Sequence, residues 1–318
     1  MANRSVDDLF TAARAGERAA LARLLSLIER GGDAARTIGR LSSPHSGAAY
    51  TIGITGAPGS GKSTLTSAVI GHLRSNSAEV AVLAIDPSSP FTGGAILGDR
   101  VRMQDHSTDP GVFIRSMATR GHLGGLSLST PEAIRLLDAV GHAWVLIETV
   151  GVGQVEVEIA SKADTTVVVV NPGWGDAVQA AKAGLMEIAD VFVINKTDRP
   201  GAAQTRHDLE SMLDLSDRQH DGWRPPIVST VGLDGTGVDE LWSAIMAHRD
   251  AITTDGTLVV RRAQRLRDEL RDIVARRLEQ RAMAVCGGER WDELQRDVVD
   301  HSVDPWSAAD TLLAAVDA

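Results

Sequence analysis

The chain has 318 residues, 43% of them hydrophobic, and carries 32 Lys and Arg against 42 Asp and Glu, a formal net charge of −10. That composition suits a globular fold with a full core, in one large domain or two, and its acidity argues against a dedicated nucleic-acid binder. The single cysteine, Cys286, excludes an intramolecular disulfide and a Cys-rich zinc site, and the apolar runs are too short to cross a membrane.

In chain order, residues 5–30 read as helix, because Leu9, Phe10, Ala13, Leu21, Leu24, Leu25 and Ile28 recur at helical spacing. Gly31-Gly32 ends that stretch, and the turn-rich segment 42–47 marks a first boundary. The segment lacks the apolar stretch of a signal peptide, so a cytoplasmic, reducing location is expected. From Tyr50 to about His248, short apolar strands alternate with helices. Strands are predicted at Tyr50–Thr55, Val80–Ile85, Val112–Ile114, Trp144–Thr149, Thr165–Asn171, Val191–Asn195 and Pro226–Ser229. Most are continuous β-branched runs, which suits strands buried on both faces of a mostly parallel sheet. Helices are predicted near 61–74, 130–140, 177–189, 205–214 and 237–250. The long, weakly periodic segment Asp86–Gly111 has the character of a functional loop. Beyond Thr254, Leu266, Leu270, Ile273, Val274 and Leu278 form an apolar stripe on a charged helix, followed by shorter helices near 288–299 and 305–317. Residues 261–281 hold eight Arg and four acids, but the apolar stripe favours a packing or dimer helix over a nucleic-acid surface. The expected organisation is residues 1–47 as an N-terminal helical extension, 48–252 as the α/β domain and 253–318 as a C-terminal helical extension.

Gly56-Ala57-Pro58-Gly59-Ser60-Gly61-Lys62-Ser63 matches G-x-x-x-x-G-K-[ST] after a strand and at the opening of a helix that continues with Thr64. Glycines allow backbone N–H groups to turn inward around phosphates, and the helix N-terminus adds partial positive charge. Lys62 would reach the β- and γ-phosphates, and the Ser63 hydroxyl would ligate Mg²⁺. Asn195-Lys196-Thr197-Asp198 follows a strand and matches N-K-x-D. A carboxylate at Asp198 accepts two hydrogen bonds from the donor edge of guanine, which adenine lacks. Asp86 and Glu148 end two strands and, with Asp99 in the long loop, are candidates for the metal shell. Glu148-Thr149-Val150-Gly151 stands where GTPases carry D-x-x-G, whose Gly N–H contacts the γ-phosphate.

Together these residues resemble the MeaB-type G proteins, the methylmalonyl-CoA mutase-associated GTPases, also named LAO/AO (ArgK) transport system kinases. The resemblance runs from the phosphate loop through Asp198. It includes Asp86-Pro87-Ser88-Ser89 with Gly93 to Arg100, Phe113-Ile114-Arg115, Gly121 to Gly125, Glu148 to Gln154, and Pro172 to Asp176 through Gly184. It implies a P-loop NTPase of three-layer αβα architecture with a mostly parallel sheet (SIMIBI class), flanked by helical extensions. It further implies GTP hydrolysis with Mg²⁺, a homodimer held by the C-terminal helices, and a chaperone role toward adenosylcobalamin-dependent methylmalonyl-CoA mutase, gating cofactor loading and protecting the enzyme.

Two departures stand out. The family's S-A-L-type guanine loop reads Thr230-Val231-Gly232-Leu233, and a bulky Trp174 occupies the loop called switch III. Gln154, three residues after Gly151, is a candidate for positioning water, and Lys182 for contacting the phosphates. Arg100, Arg102, Arg115 and Arg120 are candidate arginine fingers. None of the nine His residues has metal-pair spacing, which argues against nickel insertion. The competing expectations are a kinase regulating arginine/ornithine transport, for which no catalytic-loop motif is found, and a GTP switch for another partner. No nucleic-acid or membrane partner is expected.

Overall fold

The computed structural model describes residues 4–87, 106–119, 129–149, 161–173, 184, 187–215, 222–283 and 286–314, leaving aside the side chains of residues 86, 87, 118 and 119. Within these residues the chain forms two compact units, Met1–Arg262 and Ala263–Ala318. The first unit is built on seven parallel strands: β1 (Tyr50–Gly56), β2 (Val80–Pro87), β3 (Val112–Thr119), β4 (Trp144–Thr149), β5 (Thr165–Val170), β6 (Val191–Asn195) and β7 (Ile227–Thr230). Their order across the sheet is β3-β2-β4-β1-β5-β6-β7.

All seven predicted strands are present, and the parallel α/β architecture is the expected one. The β-branched runs explain it: every residue of β5 and of β6 is buried, so neither face of these strands meets water. Along β2, Val80 and Val82 face one helical layer while Ala81, Leu83 and Ile85 face the other. The first layer contains α4 (Lys62–Ser75) and α7 (Val238–Thr254), which bring Leu65, Val69, Ile70, Leu241 and Ile245 onto β1, β4, β5 and β6. On the other face lie the N-terminal helices and α5 (Ser129–Ala139), and α6 (Ala202–Leu215) covers β5 and β6 with Leu209. Because β1 sits between β4 and β5 while the chain crosses from β1 to β2, the strand ends around β1 open a crevice where a ligand can enter.

The N-terminal reading needs correction. The single helix expected over 5–30 is two, α1 (Val6–Arg14) and α2 (Arg18–Arg30); Gly31-Gly32 ends that stretch as expected, but a further helix follows it. Gly16 adopts φ +91°, breaking the first periodic run. Gly31 and Gly32, at φ +73° and +78°, reverse the chain into α3 (Gly32–Ser42). That third helix buries Ala35 and Ile38, and its short apolar stripe was missed beside the glycine pair. These helices share one core with β2, β3, β4 and α5, so they belong to the same unit as the sheet. The ion pair of Arg115 on β3 with Glu29 on α2 reinforces the packing. Arg115 is thereby committed to the helical layer and leaves the set of candidate arginine fingers; Arg100, Arg102 and Arg120 lie outside the described residues.

At the amino-terminal feet of the strands a polar network is buried. Tyr50 and Thr165 hydroxyls meet at 2.7 Å, Thr165 Oγ1 lies 2.8 Å from His248 Nδ1, and His248 Nε2 is 3.2 Å from Asp190 Oδ1. Asp190 also accepts from Thr166 N at 2.8 Å and faces Arg261 at 3.3 Å. Burial by itself would raise the Asp190 carboxyl, but His248 and Arg261 outweigh it and hold the group below its ordinary value of about 3.8. A depressed folded-state value stabilises the fold fully above the unfolded value, and that contribution is lost as pH falls from there through the folded one. Asp190→Asn is therefore expected to flatten the acid limb of stability below about pH 4; urea midpoints across pH check this, and an unchanged limb would refute it.

The second unit takes up α8 (Thr257–Met283) from Ala263 onward, with α9 (Glu289–Val299) and α10 (Pro305–Leu313). Leu294, Ala308 and Leu312 form its small core. Asp304 caps α10, accepting from the N–H groups of Trp306 and Ser307. No helix among the described residues is long and apolar enough to cross a membrane.

Candidate functional site

The loop between β1 and α4 has the geometry its glycines permit. Gly56, Gly59 and Gly61 adopt φ of +136°, +76° and +95°, values side-chain-bearing residues rarely take. A Cβ on Gly56 would overlap the Val169 carbonyl of β5, and one on Gly61 would overlap the Asn195 amide. Lys62 opens α4, is 7% exposed, and donates from Nζ to the Gly56 and Ala57 carbonyls at 2.6 and 3.0 Å. Ser60 and Ser63 are buried beside it.

The N-K-x-D loop leaves the end of β6, two strands away from β1. Asn195, 2% exposed, is its anchor. Its Nδ2 donates to Ser60 O at 2.9 Å, and its Oδ1 accepts from Gly232 N at 3.0 Å and Thr230 Oγ1 at 3.2 Å. One side chain thus ties the phosphate loop, its own loop and the 230–233 loop together. Lys196, at φ +62°, donates from Nζ to Gly59 O at 2.5 Å, and the Thr197 hydroxyl donates to Thr230 O at 3.1 Å.

Between these loops lies a cavity of about 460 Å³. Pro58, Gly59, Gly61, Lys62, Ser63 and Thr64 line it from the phosphate loop, and Asn195, Lys196 and Asp198 from the β6 loop. Val231, Gly232 and Leu233 close it. Gly56, Ala57 and Ser60 belong to the same loop but are not among the residues that line the cavity. Two residues not among the sequence-based site candidates also line it: Thr149 of the Glu148-Thr149-Val150-Gly151 motif, whose hydroxyl donates to Thr55 Oγ1 at 3.1 Å, and Arg199 next to Asp198. Thr230, fully buried, begins the Thr230-Val231-Gly232-Leu233 loop noted in the sequence, but only the structure shows that its hydroxyl orients Asn195.

Glu148 is 1% exposed on β4, in register with Ile54 of β1 and Ala84 of β2. It therefore lies between the strands that lead to the phosphate loop and to Asp86, whose backbone is placed near the end of β2. Among the described residues no three His, Cys, Asp or Glu side chains gather as a metal site. The hydroxyl of Ser63 and the carboxylate of Glu148 are hard oxygen donors, which fits a Mg²⁺ that keeps most of its waters and leans on nucleotide phosphates. Asp99, Gly151, Gln154, Lys182 and Trp174 lie outside the described residues.

A family model described as methylmalonyl Co-A mutase-associated GTPase MeaB matches residues 21–286. The chain belongs to the MeaB family. A Pyrococcus abyssi protein assigned as a GTPase is 50% identical over 313 residues, covering 98% of this chain and 97% of its own length. The mouse mitochondrial methylmalonic aciduria type A homolog is 32% identical, covering 98% of this chain and 80% of its own length. A solved structure described as an LAO/AO transport system kinase aligns over 100% of this chain and 99% of its own, with a TM-score of 0.72 and 27% identity. The chain is thus a GTPase of the MeaB/ArgK family, with the P-loop α/β fold, and its ligands are GTP and GDP. In a MeaB-family chain, joining the phosphate loop to an N-K-x-D loop in one cavity has an immediate chemical meaning. One end of the cavity is lined by the phosphate-loop residues with the Lys62 ammonium, and the other by the loop that carries the Asp198 carboxylate.

Proposed function

We propose that this protein hydrolyses GTP in the cavity between Gly59 and Leu233. We further propose that its nucleotide state governs a chaperone action on an adenosylcobalamin-dependent methylmalonyl-CoA mutase, gating cofactor loading and protecting the enzyme. The observation that carries the first part is the Asn195 bridge, which holds the guanine-reading loop against the phosphate loop. The partner rests on the family description and on the mouse relative.

In this reading the N–H groups of Gly59 to Ser63 and the Lys62 ammonium hold the β- and γ-phosphates, and Asp198 accepts from the guanine edge. Ser63, Asp86, Asp99 and Glu148 would hold Mg²⁺, which neutralises phosphate charge when bound. Gly151 would sense the γ-phosphate, with Gln154 and Lys182 as candidates for ordering water and phosphate. The protein would act as a cytoplasmic homodimer through its C-terminal helices. Support comes from the stripe on α8, where Leu266, Leu270, Val274 and Leu278 are 49–63% exposed within one chain.

Asp198→Asn tests the base assignment. Losing the acceptor pair should weaken GTP by about 10²-fold and leave ATP unaffected. Equal use of GTP and ATP by the unsubstituted protein would sink it. Co-purification with the mutase, with and without a non-hydrolysable GTP analogue, tests the partner; association indifferent to nucleotide would favour a different client. The solved relative's description as a transport system kinase supports a second reading. Transfer of labelled γ-phosphate to a protein acceptor rather than to water would establish that one.

A further inference from the structure

We infer that Arg262 is a junction joining three distant parts of the chain at the feet of the strands. These are the linker after the N-terminal helices, the entry to β5, and the second turn of α8. Its guanidinium makes four hydrogen bonds. The two terminal nitrogens donate to the Gly47 carbonyl at 2.8 Å, the Ala49 carbonyl at 2.7 Å and Asp164 Oδ2 at 2.6 Å. Nε donates to Asp164 Oδ1 at 3.1 Å. From the other side, Asp138 near the end of α5 accepts from the N–H groups of Gly47 and of Ala49, the latter at 2.9 Å. The linker's donors therefore end on a carboxylate and its acceptors on a guanidinium. Asp164 is 1% exposed and also accepts from Thr51 N at 3.0 Å, at the start of β1.

Several features make this more than surface pairing. A carboxylate buried to that degree needs a well-placed cation, and the two-pronged contact uses the planar fork that only arginine offers. The neighbouring Arg261 meets Asp190, and the bonds to the Gly47 and Ala49 carbonyls of the linker come from Arg262. The junction also unites what the sequence separates: the turn-rich break near residue 47 and the change of pattern past residue 254 meet at one side chain. The N-terminal helices, the feet of β1 and β5, and the first two turns of α8 then open as one unit.

Hydrogen exchange on the full chain tests this independently of nucleotide chemistry. In Arg262→Gln the amides of Gly47, Ala49 and Thr51 should exchange about ten- to a hundredfold faster, as expected for loss of charged hydrogen bonds. Phe192–Asn195 amides and GTP affinity should be unchanged. No change at Gly47–Thr51, or the same acceleration across all strands, would overturn the inference. Arg262→Lys keeps the charge but not the fork, so it should protect Thr51 better than Ala49; equal loss at both would count against the junction. Asp138→Asn combined with Arg262→Gln should be clearly non-additive in linker exchange, because both hold residues Gly47 and Ala49, one through their N–H groups and the other through their carbonyls; additive effects would also overturn it.

Discussion

Replacing Lys62 with alanine is expected to lower GTP turnover by about 10²- to 10³-fold while leaving the fold nearly as stable as before. The ammonium is held at 2.6 and 3.0 Å from two carbonyls of its own loop, which places a full positive charge at the phosphate end of the cavity. Phosphoryl transfer to water involves little covalent chemistry for the protein, so charge neutralisation and positioning carry the rate. Methionine at the same position keeps the stem and removes only the charge. If the charge is the cause, Lys62→Met should lose as much turnover as Lys62→Ala. Single-turnover hydrolysis with GTP binding measured separately decides it, and turnover at the unsubstituted rate in either variant would refute the assignment.

Asn195→Ala should do two kinds of damage at once. It removes a donor to Ser60 O and an acceptor for both Gly232 N and Thr230 Oγ1, all in a buried setting. Stranding buried polar groups costs about 1–3 kcal/mol each where water cannot replace the partner, so a net loss of about 2–4 kcal/mol is expected. Because the same side chain sets the spacing of the guanine and phosphate ends, GTP affinity should fall about 10- to 100-fold as well. Thr230→Val keeps the shape and removes one of the three bonds, so its loss should be near 1 kcal/mol. Urea midpoints and nucleotide titrations on the two variants check the ranking. An Asn195→Ala protein with unchanged stability would mean that the bridge does not hold the loops.

Much of this protein could be read before any tertiary structure. The strand positions followed from β-branched runs, since a strand buried on both faces has no polar alternation to imitate anything else. The phosphate loop and Asn195-Lys196-Thr197-Asp198 were legible because their chemistry is local: glycines for positive φ, a lysine and a carboxylate at set spacing. The N-terminal helices were harder. A single glycine, Gly16, interrupts an otherwise continuous apolar period, and a glycine pair signals a stop whether the chain leaves or reverses. Thr230 and Thr149 sat inside motifs the sequence displays, but their contacts were illegible for a different reason. A buried threonine at a strand end has no pattern of its own, and its role depends on which neighbour lies within reach.

By itself, then, the sequence determined the fold class and the family, and it marked the two loops proposed to take phosphate and guanine. Those are properties of short segments and of periodicity, encoded within a few residues of each other. Only the tertiary structure decided that Arg115 belongs to Glu29 and that Arg262 closes on Asp164 and the linker before β1. Each depends on a hydrogen-bond distance between groups far apart in the chain, and the parallel sheet sets such distances by strand order rather than by sequence spacing.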